Sequence, residues 1–504
     1  MRTQPKILAT TIAAVSLISL SGQSHAAAFQ LNYQSIPSLS MANAGRATLA
    51  QDATVIFTNP AGLSLLKQQS ISVNASGVFP STEISNTSAS SPTSPTIAAN
   101  GTNEGDMVDN AFIPSAFWAL PIPNSPVGDG LSAGVGVYGS FGFDIDYEDT
   151  FQGRLFADES KLKVITVQPT VSYRVTPEVS IGAGVTFNRA DGTLTSATGA
   201  ANTDRFSIKG DDTAVGYNIG VMFDATPELR LGATYRSKVD YTLKGNISAS
   251  RTVAPLPAFV ANGSGSLDVT TPAAVELSFS YDVVPELTVY GTYSRTMWKK
   301  LDTIQVKTDL NAAQLQQQYS AGIPALVGSV IQQQVAAQLQ QIQNPTPAQI
   351  AAVTQAVTDK VTAEVAQPLG AAALIAADGF ANPPAEKLGY QDTNIFALGV
   401  SHQFSPDLVL RAGVARDDSV SDVHTSVRLP TGKRHLFSIG AGYNINDNMS
   451  VDLMYAYADE KKTLVTASRP NQLPNGNAIA APNTYNATFK NTAHLVGAQL
   501  NYTF

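Results

Sequence analysis

The C-terminal end of the chain alternates strictly between apolar and polar side chains. Val496, Ala498, Leu500, Tyr502 and Phe504 share one parity, and small or polar residues fill the positions between them. A β-strand places alternate side chains on opposite faces. This pattern therefore predicts a strand with one face in contact with lipid and the other towards a polar interior.

The same alternation recurs along the chain and is interrupted by tight turns of similar composition. Turns with Pro followed by an acidic residue lie at 176–178, 226–228, 284–286 and 405–407, and a variant lies at 446–448. Proline presets the backbone of a tight turn and interrupts strand pairing. The stretches at the opposite ends of the strands are longer and polar, which is the asymmetry of a transmembrane β-barrel.

These turns predict an all-β fold, in which a closed transmembrane barrel of fourteen antiparallel strands occupies residues 67–504. An even number of strands is the rule for bacterial single-chain barrels. The alternative, a soluble β-sandwich, does not require so many tall strands with aromatic outer faces. The predicted strands lie at 68–80, 111–121, 130–147, 161–175, 179–190, 212–224, 229–241, 271–283, 287–299, 389–404, 408–416, 434–445, 449–459 and 491–504.

One segment, 305–386, lacks the alternation and is rich in Ala and Gln. Within it, 331–342 and 347–365 are predicted helices, and Thr346 followed by Pro347 is a favourable helix start. Its position between an upward and a downward strand predicts an extracellular loop insertion. The insertion is either a helical decoration of the surface or a lid over the mouth of the barrel.

Residues 1–26 have the composition of a cleavable signal peptide. Arg2 and Lys6 flank the start of an apolar run, Ile7–Leu20, and residues 24–26 match a small-x-small cleavage site. The apolar run is too short for a membrane-spanning helix. We therefore expect an exported protein of the cell outer membrane.

Residues 27–66 follow the leader and show neither strict alternation nor a long apolar run. The segment carries only two charges, Arg46 and Asp52, and many apolar side chains. Disordered tails are usually charged and poor in apolar groups. The segment is therefore predicted to fold into the barrel lumen as a hatch, with a disordered tail as the alternative.

Composition narrows the possible functions. The net charge of −8 argues against a nucleic-acid partner, and the absence of cysteine excludes disulfides and cysteine-based metal or redox chemistry. Charged residues make up only 14% of the chain, which is low for a soluble domain. No two histidines have metal-ligand spacing, so neither a metal nor another cofactor is expected.

The protein is not expected to be an enzyme, although an outer-membrane lipase is the enzymatic alternative. A lipase would need a His–Ser pair on neighbouring strands, and pairing across strands is not visible in the sequence. A general porin or an adhesin is the third possibility. A porin would conduct ions and lack a hatch, whereas an adhesin would depend on the 305–386 insertion.

Several motifs resemble those of the FadL/TodX family of outer-membrane transporters. FQL at Phe29–Leu31 follows the leader, an NPA turn lies at 59–61, and Gly139–Arg154 is similar to the family's third strand and its following loop. Further similarity lies at 235–245 and 411–440. The resemblance covers nearly the whole mature chain apart from the 305–386 insertion.

The resemblance implies passive uptake of long-chain fatty acids by a monomer embedded in outer-membrane lipid. In this family, ligands pass from an extracellular groove to a pocket in the lumen. Movement of the hatch then permits lateral diffusion through a gap at a kinked strand. The resemblance assigns ligand contact to Phe29, hatch gating to Asn59, Pro60 and Ala61, and the strand kink to Gly142 with Phe141.

Two basic positions of the family bind the ligand's carboxylate. Arg189 matches the first, and an Arg side chain suits a carboxylate in an apolar pocket. Arg189 alternates in step with Val185 and Phe187, whose side chains are expected to point out of the barrel. It can therefore reach the lumen only if a bulge or the end of the strand turns it inward. The second position, a lysine in the family, is Gln391 here, with Lys387 as a nearby substitute. This departure leaves open a neutral ligand, as in the aromatic-hydrocarbon branch of the family.

Overall fold

The structure is a computed structural model that describes residues 29–125, 130–421, 426–472 and 476–504. The predicted signal peptide, 1–26, lies outside the described residues. Among the residues that are described, no helix is long and apolar enough to cross a membrane.

Strands dominate the described chain. In chain order they are β1 (Ser70–Ser90), β2 (Ala111–Ile122), β3 (Leu131–Asp146), β4 (Glu159–Arg174), β5 (Val179–Ala197), β6 (Arg205–Asp224), β7 (Leu229–Arg236), β8 (Val239–Arg251), β9 (Phe259–Thr271), β10 (Ala274–Val284), β11 (Leu287–Thr296), β12 (Thr303–Ile304), β13 (Val306–Thr308), β14 (Glu386–Lys387), β15 (Thr393–Ser405), β16 (Leu408–Asp417), β17 (Arg434–Asn446), β18 (Met449–Glu460), β19 (Thr463–Gln472) and β20 (Ala478–Thr503).

Helices are confined to the hatch and the loops. They are α1 (Ile36–Leu39), α2 (Val55–Thr58), α3 (Pro95–Asn100), α4 (Ala312–Ser320), α5 (Ile323–Leu339), α6 (Pro347–Val361) and α7 (Gln367–Ala381), with 3₁₀ turns at Pro60–Leu65 and Trp298–Lys300 and a π-helical turn at Thr362–Ala366.

The wall is a closed barrel of fourteen antiparallel strands, as predicted from the turns. Two of the wall strands are each interrupted midway and consist of β7 with β8 and of β9 with β10. The first strand, β1, pairs with the last, β20, and this pairing closes the wall. The short strands β12, β13 and β14 and the ten-residue strand β19 lie in the loops at one end.

The outer face of the wall is apolar, because alternate side chains of each strand point away from the lumen. On β20, Val496, Leu500 and Tyr502 are exposed, whereas Gln499 is only 1% exposed on the opposite face. The predicted parity of this strand is therefore confirmed. Several strands extend further than predicted on the extracellular side, and β20 begins at Ala478, because β19 pairs with its upper half.

The insertion contains four helices, α4 to α7, where the sequence predicted two. The predicted start of α6 is confirmed, since Thr346 Oγ1 accepts a hydrogen bond from Gln349 N at 3.3 Å. The insertion packs on the barrel through α4 and α7. Tyr319 of α4 stacks on Phe259 of β9, with ring centroids 4.4 Å apart, and α7 contributes Phe380 beside it.

The hatch fills the lumen, where its apolar side chains Ile36, Leu39 and Leu63 are fully buried. Glycine on the inward face of the wall makes room for it. A side chain at Gly220 would collide with Asn59, and one at Gly413 would collide with the backbone of Met41. Similar close approaches to the hatch occur at Gly182, Gly232, Gly440 and Gly497.

Candidate functional site

The wall has a gap in its pairing between β2 and β3. The ladder between these strands runs from Ile122 and Leu131 up to Ser115 and Tyr138, and it ends there. Above this point β2 continues to pair with β1, and β3 continues to pair with β4. The two strands thus separate in the upper part of the wall.

The first residues of the hatch occupy the place beside β3 where β2 is missing. Gln30 forms an antiparallel bridge with Phe141. Leu31 N donates to Ser140 O at 3.0 Å, and Gly142 N donates to Phe29 O at 2.9 Å. The register of β3 against β4 shifts between Gly139 and Phe141, beside these contacts. A β-bulge of this kind bends a strand.

Phe29 lies at the centre of an aromatic cluster behind the gap. Its ring centroid is 4.7 Å from that of Trp298, 5.3 Å from that of Phe143 and 5.9 Å from that of Phe141. Trp298 is fully buried and also contacts Tyr390 edge to face. The hatch terminus is therefore fixed by side-chain packing as well as by backbone hydrogen bonds.

An apolar cavity of about 50 Å³ adjoins this cluster. Its lining is aliphatic and aromatic except for the cations Lys161 and Arg428 and small residues of β5. The residues around it include Phe29, Phe143, Leu162, Leu194, Leu243, Leu267, Val269, Leu301, Ile304, Leu388, Tyr390 and Leu429.

Both cations at the cavity have acidic partners. Arg428 Nε lies 2.7 Å from Glu386 Oε2, and its other nitrogens donate to Ser160 Oγ, Thr195 O and Phe156 O. Lys161 Nζ lies 2.7 Å from Glu159 Oε1 and is also close to Asp144. A ligand carboxylate would have to share either cation with an acid already in place.

A larger groove of about 440 Å³ lies on the extracellular side of the cavity. The groove and the cavity share Leu194, Ile304 and Arg428 in their linings. One wall of the groove is formed by α7 of the insertion, and another by the β19 hairpin. The three shared residues join the extracellular surface to the cavity at Phe29.

The predicted gating residues fix the hatch to β4, β5 and β6 of the wall. Asn59 Oδ1 accepts from Ala61 N at 3.1 Å, while its Nδ2 donates to Ala47 O and to Val221 O. Ser172 Oγ donates to Ala61 O at 2.9 Å. Pro60 begins the 3₁₀ turn and packs against Gly182 of β5. These contacts make the NPA turn an anchor.

A buried ion pair holds the middle of the hatch. The guanidinium of Arg46 contacts Glu276 of β10 through Nε and Nη2, and its Nη1 donates to Asn32 Oδ1 at 2.8 Å. The side chain of Glu276 is 4% exposed. Arg236 of β7 lies over the ring of Phe57 at 4.4 Å and donates to its carbonyl oxygen.

Arg189 does not lie in the lumen, in contrast to the position that the resemblance gave it. Its side chain is 58% exposed on the outer face of β5, where it contacts Asp191 and Asp211. The pairing of β5 with β6 continues through Arg189 without a register shift, so no bulge turns it inward. The alternation with Val185 and Phe187 therefore holds, and the assignment to the pocket is not supported by this placement.

Gln391 and Lys387 flank the cavity without lining it. Lys387 is exposed on β14, opposite Thr303. Gln391 N donates to Val420 O at 2.8 Å, and its side chain is exposed. The residues between them, Leu388 and Tyr390, are the ones that face the cavity. No local pattern in the sequence distinguishes Tyr390, Trp298 or Arg428 from other wall and loop residues, although all three lie at the cavity or its aromatic cluster.

The sequence Gly130–Gly134 matches G-x-S-x-G, the motif of serine hydrolases. In those enzymes the serine lies on a strand-to-helix turn. Here Ser132 is buried within β3 and faces Pro121 and Ser172 on the adjacent strands. This motif gives no support to the lipase alternative.

We expect that Arg189→Ala will leave oleate binding by the purified protein unchanged, because the guanidinium of Arg189 lies outside the barrel beside the exposed carboxylates of Asp191 and Asp211. Equilibrium binding of radiolabelled oleate measures this, with Arg416→Ala as the control for loss of another exposed arginine. A selective loss of affinity in Arg189→Ala would show that Arg189 reaches the ligand in a different conformation.

Residues 17–340 and 371–504 match the family described as outer membrane protein transport protein (OMPP1/FadL/TodX). The chain belongs to this family. The 305–386 insertion contains the stretch that the family pattern leaves unmatched. As a member of the OMPP1/FadL/TodX family, the protein lies in the outer membrane and transports hydrophobic compounds.

Relatives of known name span the whole chain. Outer membrane protein P1 of Haemophilus influenzae is 27% identical, with 98% of this chain and 99% of that protein covered. The long-chain fatty acid transport protein of Escherichia coli O6:H1 is 21% identical, with 99% of this chain and all 100% of that protein covered. These two relatives therefore match this family member from end to end.

Solved structures share the fold. A Pseudomonas aeruginosa FadL homologue superimposes with a TM-score of 0.70 at 17% identity, covering 95% of this chain and 100% of that one. The Pseudomonas putida toluene transporter TodX superimposes with a TM-score of 0.60 at 12% identity, covering 95% of this chain and 100% of that one. At such low identities the likeness concerns the fold alone.

Proposed function

We propose that the protein takes up long-chain fatty acids passively, through the groove, the cavity and the gap between β2 and β3. The observation that carries this proposal is the position of Phe29. Its ring lines the cavity, and its carbonyl oxygen accepts the hydrogen bond from Gly142 that fills the gap. A ligand that enters the cavity therefore acts directly on the segment that occupies the gap.

In this proposal the ligand displaces Phe29 and the backbone contacts beside it, and the acyl chain then leaves sideways into lipid. Asn59, Pro60 and Ala61 keep the far end of the hatch anchored, so only its N-terminal part has to move. Phe141 and Gly142 form the inner edge of the exit. Burial of apolar surface supplies the driving force for transfer from water to the cavity and on to lipid, and no coupled energy source is needed.

The side chains that line the groove and the cavity support an amphipathic ligand. The side chains around the cavity are aliphatic and aromatic, which suits an acyl chain once Phe29 has moved aside, and Arg428 lines both the cavity and the groove. A guanidinium at the upper end of an apolar pocket favours a carboxylate. A relative that carries the name long-chain fatty acid transport protein agrees with this assignment.

Neutral hydrocarbons are the second candidate ligand. The pairing of Lys161 and Arg428 with acids favours this alternative, because paired cations attract a further carboxylate less strongly. The likeness in fold to a toluene transporter is compatible with it. Oleate and toluene are therefore the two ligands to compare.

Filling the cavity tests the route. We expect Val269→Trp to lower the affinity for oleate by about tenfold or more, since an indole would occupy the space for the acyl chain. The matched control is Val260→Trp on the same strand, where the side chain is 48% exposed outside the cavity. The route would be contradicted if the two variants lost affinity for oleate to the same extent, or if neither variant lost affinity.

The same binding measurement identifies the ligand class. Saturable oleate binding that toluene does not displace supports the fatty-acid proposal. Toluene binding without oleate binding moves the protein to the hydrocarbon alternative. Binding of neither ligand overturns the proposed function.

A further inference from the structure

The extracellular groove contains two arginines that take no part in the contacts described above. Arg251 lies at the end of β8, and Arg469 lies on β19 in the hairpin above β20. Both side chains are half-buried in the groove lining. Within the described chain, neither guanidinium forms an ion pair within 4.0 Å or donates a hydrogen bond, in contrast to Arg428.

The surroundings of Arg469 leave its charge undercompensated. Burial and the positive charge of Arg428 lower the pKa of Arg469 to about 10, and Glu386 acts in the opposite direction. Glu386 already binds Arg428 at 2.7 Å. The ring of Phe156 lies 5.5 Å from the guanidinium carbon of Arg469.

Arg251 is in a comparable situation. Burial lowers its pKa, and the charge of Asp204 raises it only in part. The carboxylate of Asp204 accepts hydrogen bonds from Thr252 and Ala201 instead. Of the acids that line the groove, Asp378 is bound by Asn382 and Glu386 by Arg428. Among the described residues, the groove is therefore lined by three arginines and two acids, and Arg251 and Arg469 have no acid within 4.0 Å.

We propose that Arg251 and Arg469 form a receiving site for the anionic head group of an amphiphile, with a carboxylate as the group bound. This assignment rests on the proposed function and adds the residues that select the ligand at the surface. A partly buried guanidinium gains more from an anion than an exposed one, because the surrounding dielectric is low.

The position of the site fits an acyl chain as well as a head group. Phe380 and Ile375 of α7 provide an apolar wall on one side of the groove, and Leu194 and Ile304 lead from the groove to the cavity. The insertion thus forms one side of the receiving site. A carboxylate held at Arg469 is next to Arg428, where the groove meets the cavity.

The test compares two ligands that differ only in charge, oleate and oleyl alcohol, on the purified full-length mature protein. We expect Arg251→Gln/Arg469→Gln to weaken oleate binding by about tenfold or more and to leave oleyl alcohol binding unchanged, since only the carboxylate of oleate can form charge-assisted contacts with the two guanidinium groups. The matched control is Arg416→Gln, an arginine that is 61% exposed outside the groove.

A second variant keeps the test decisive if the double variant folds poorly. Arg469→Lys retains the charge and is expected to keep a preference for oleate over the alcohol, whereas Arg469→Gln is expected to lose part of it. Retained oleyl alcohol binding shows that a variant is folded.

The outcomes separate this inference from the proposed function. If the wild-type protein and the double variant bind oleate equally, or if Arg469→Gln and Arg469→Lys retain oleyl alcohol binding and show the same oleate affinity as the wild-type protein, the assignment of the two arginines is wrong while uptake of fatty acids stands. If the wild-type protein does not bind oleate, the fatty-acid function itself is wrong.

Discussion

A disulfide between positions 30 and 141 is expected to stop uptake of hydrophobic compounds. Gln30 and Phe141 form an antiparallel bridge in which the neighbouring residues, and not this pair, exchange backbone hydrogen bonds. Such pairs have their Cα atoms about 4.5 Å apart, which is within the range that a disulfide spans. The bond would fix the hatch terminus in the gap between β2 and β3.

The chain contains no cysteine, so Gln30→Cys/Phe141→Cys introduces a single cross-link. Uptake of radiolabelled oleate by cells that express the variant should fall to the level of cells without the protein. Addition of dithiothreitol should restore it. Gln30→Ser/Phe141→Ser is the matched control for the loss of both side chains. Normal uptake by the oxidised variant would exclude this gap as the exit.

Removal of Glu276 is expected to loosen the hatch. In Glu276→Ala, Arg46 stays largely buried, with its side chain 13% exposed in the native protein, and Asn32 remains as its only side-chain hydrogen-bond partner among the described residues. An unpaired buried charge destabilises a structure by about 3–5 kcal/mol. Because the ion pair joins the hatch to β10, this energy favours release of the hatch rather than unfolding of the wall. Conductance in planar bilayers should therefore rise above that of the wild-type protein.

The control for this experiment replaces both partners. Arg46→Met/Glu276→Met removes both charges and keeps the volume of the site, so the hatch should remain in place and the conductance should stay low. If Glu276→Ala conducts no more than the double variant, the ion pair does not hold the hatch.

Local sequence was sufficient to predict the strands of the barrel wall and the faces that their side chains occupy. The alternation of side chains depends only on strand geometry, and it gave the correct lipid-facing parity of β20. It also gave the correct outward direction of Arg189, against the role that the resemblance assigned to that residue. The turns with proline gave the strand count, because a tight turn is a property of a few consecutive residues.

The sequence by itself therefore determined the barrel, its lipid-facing surface and its family. The tertiary structure alone decided which residues meet at the ligand route. Phe29 and Trp298 are far apart along the chain, as are Arg428 and the groove residues of β5, and they meet because the wall closes around the hatch. Contacts of this kind depend on the register and closure of the whole sheet, and no local pattern of side chains encodes them.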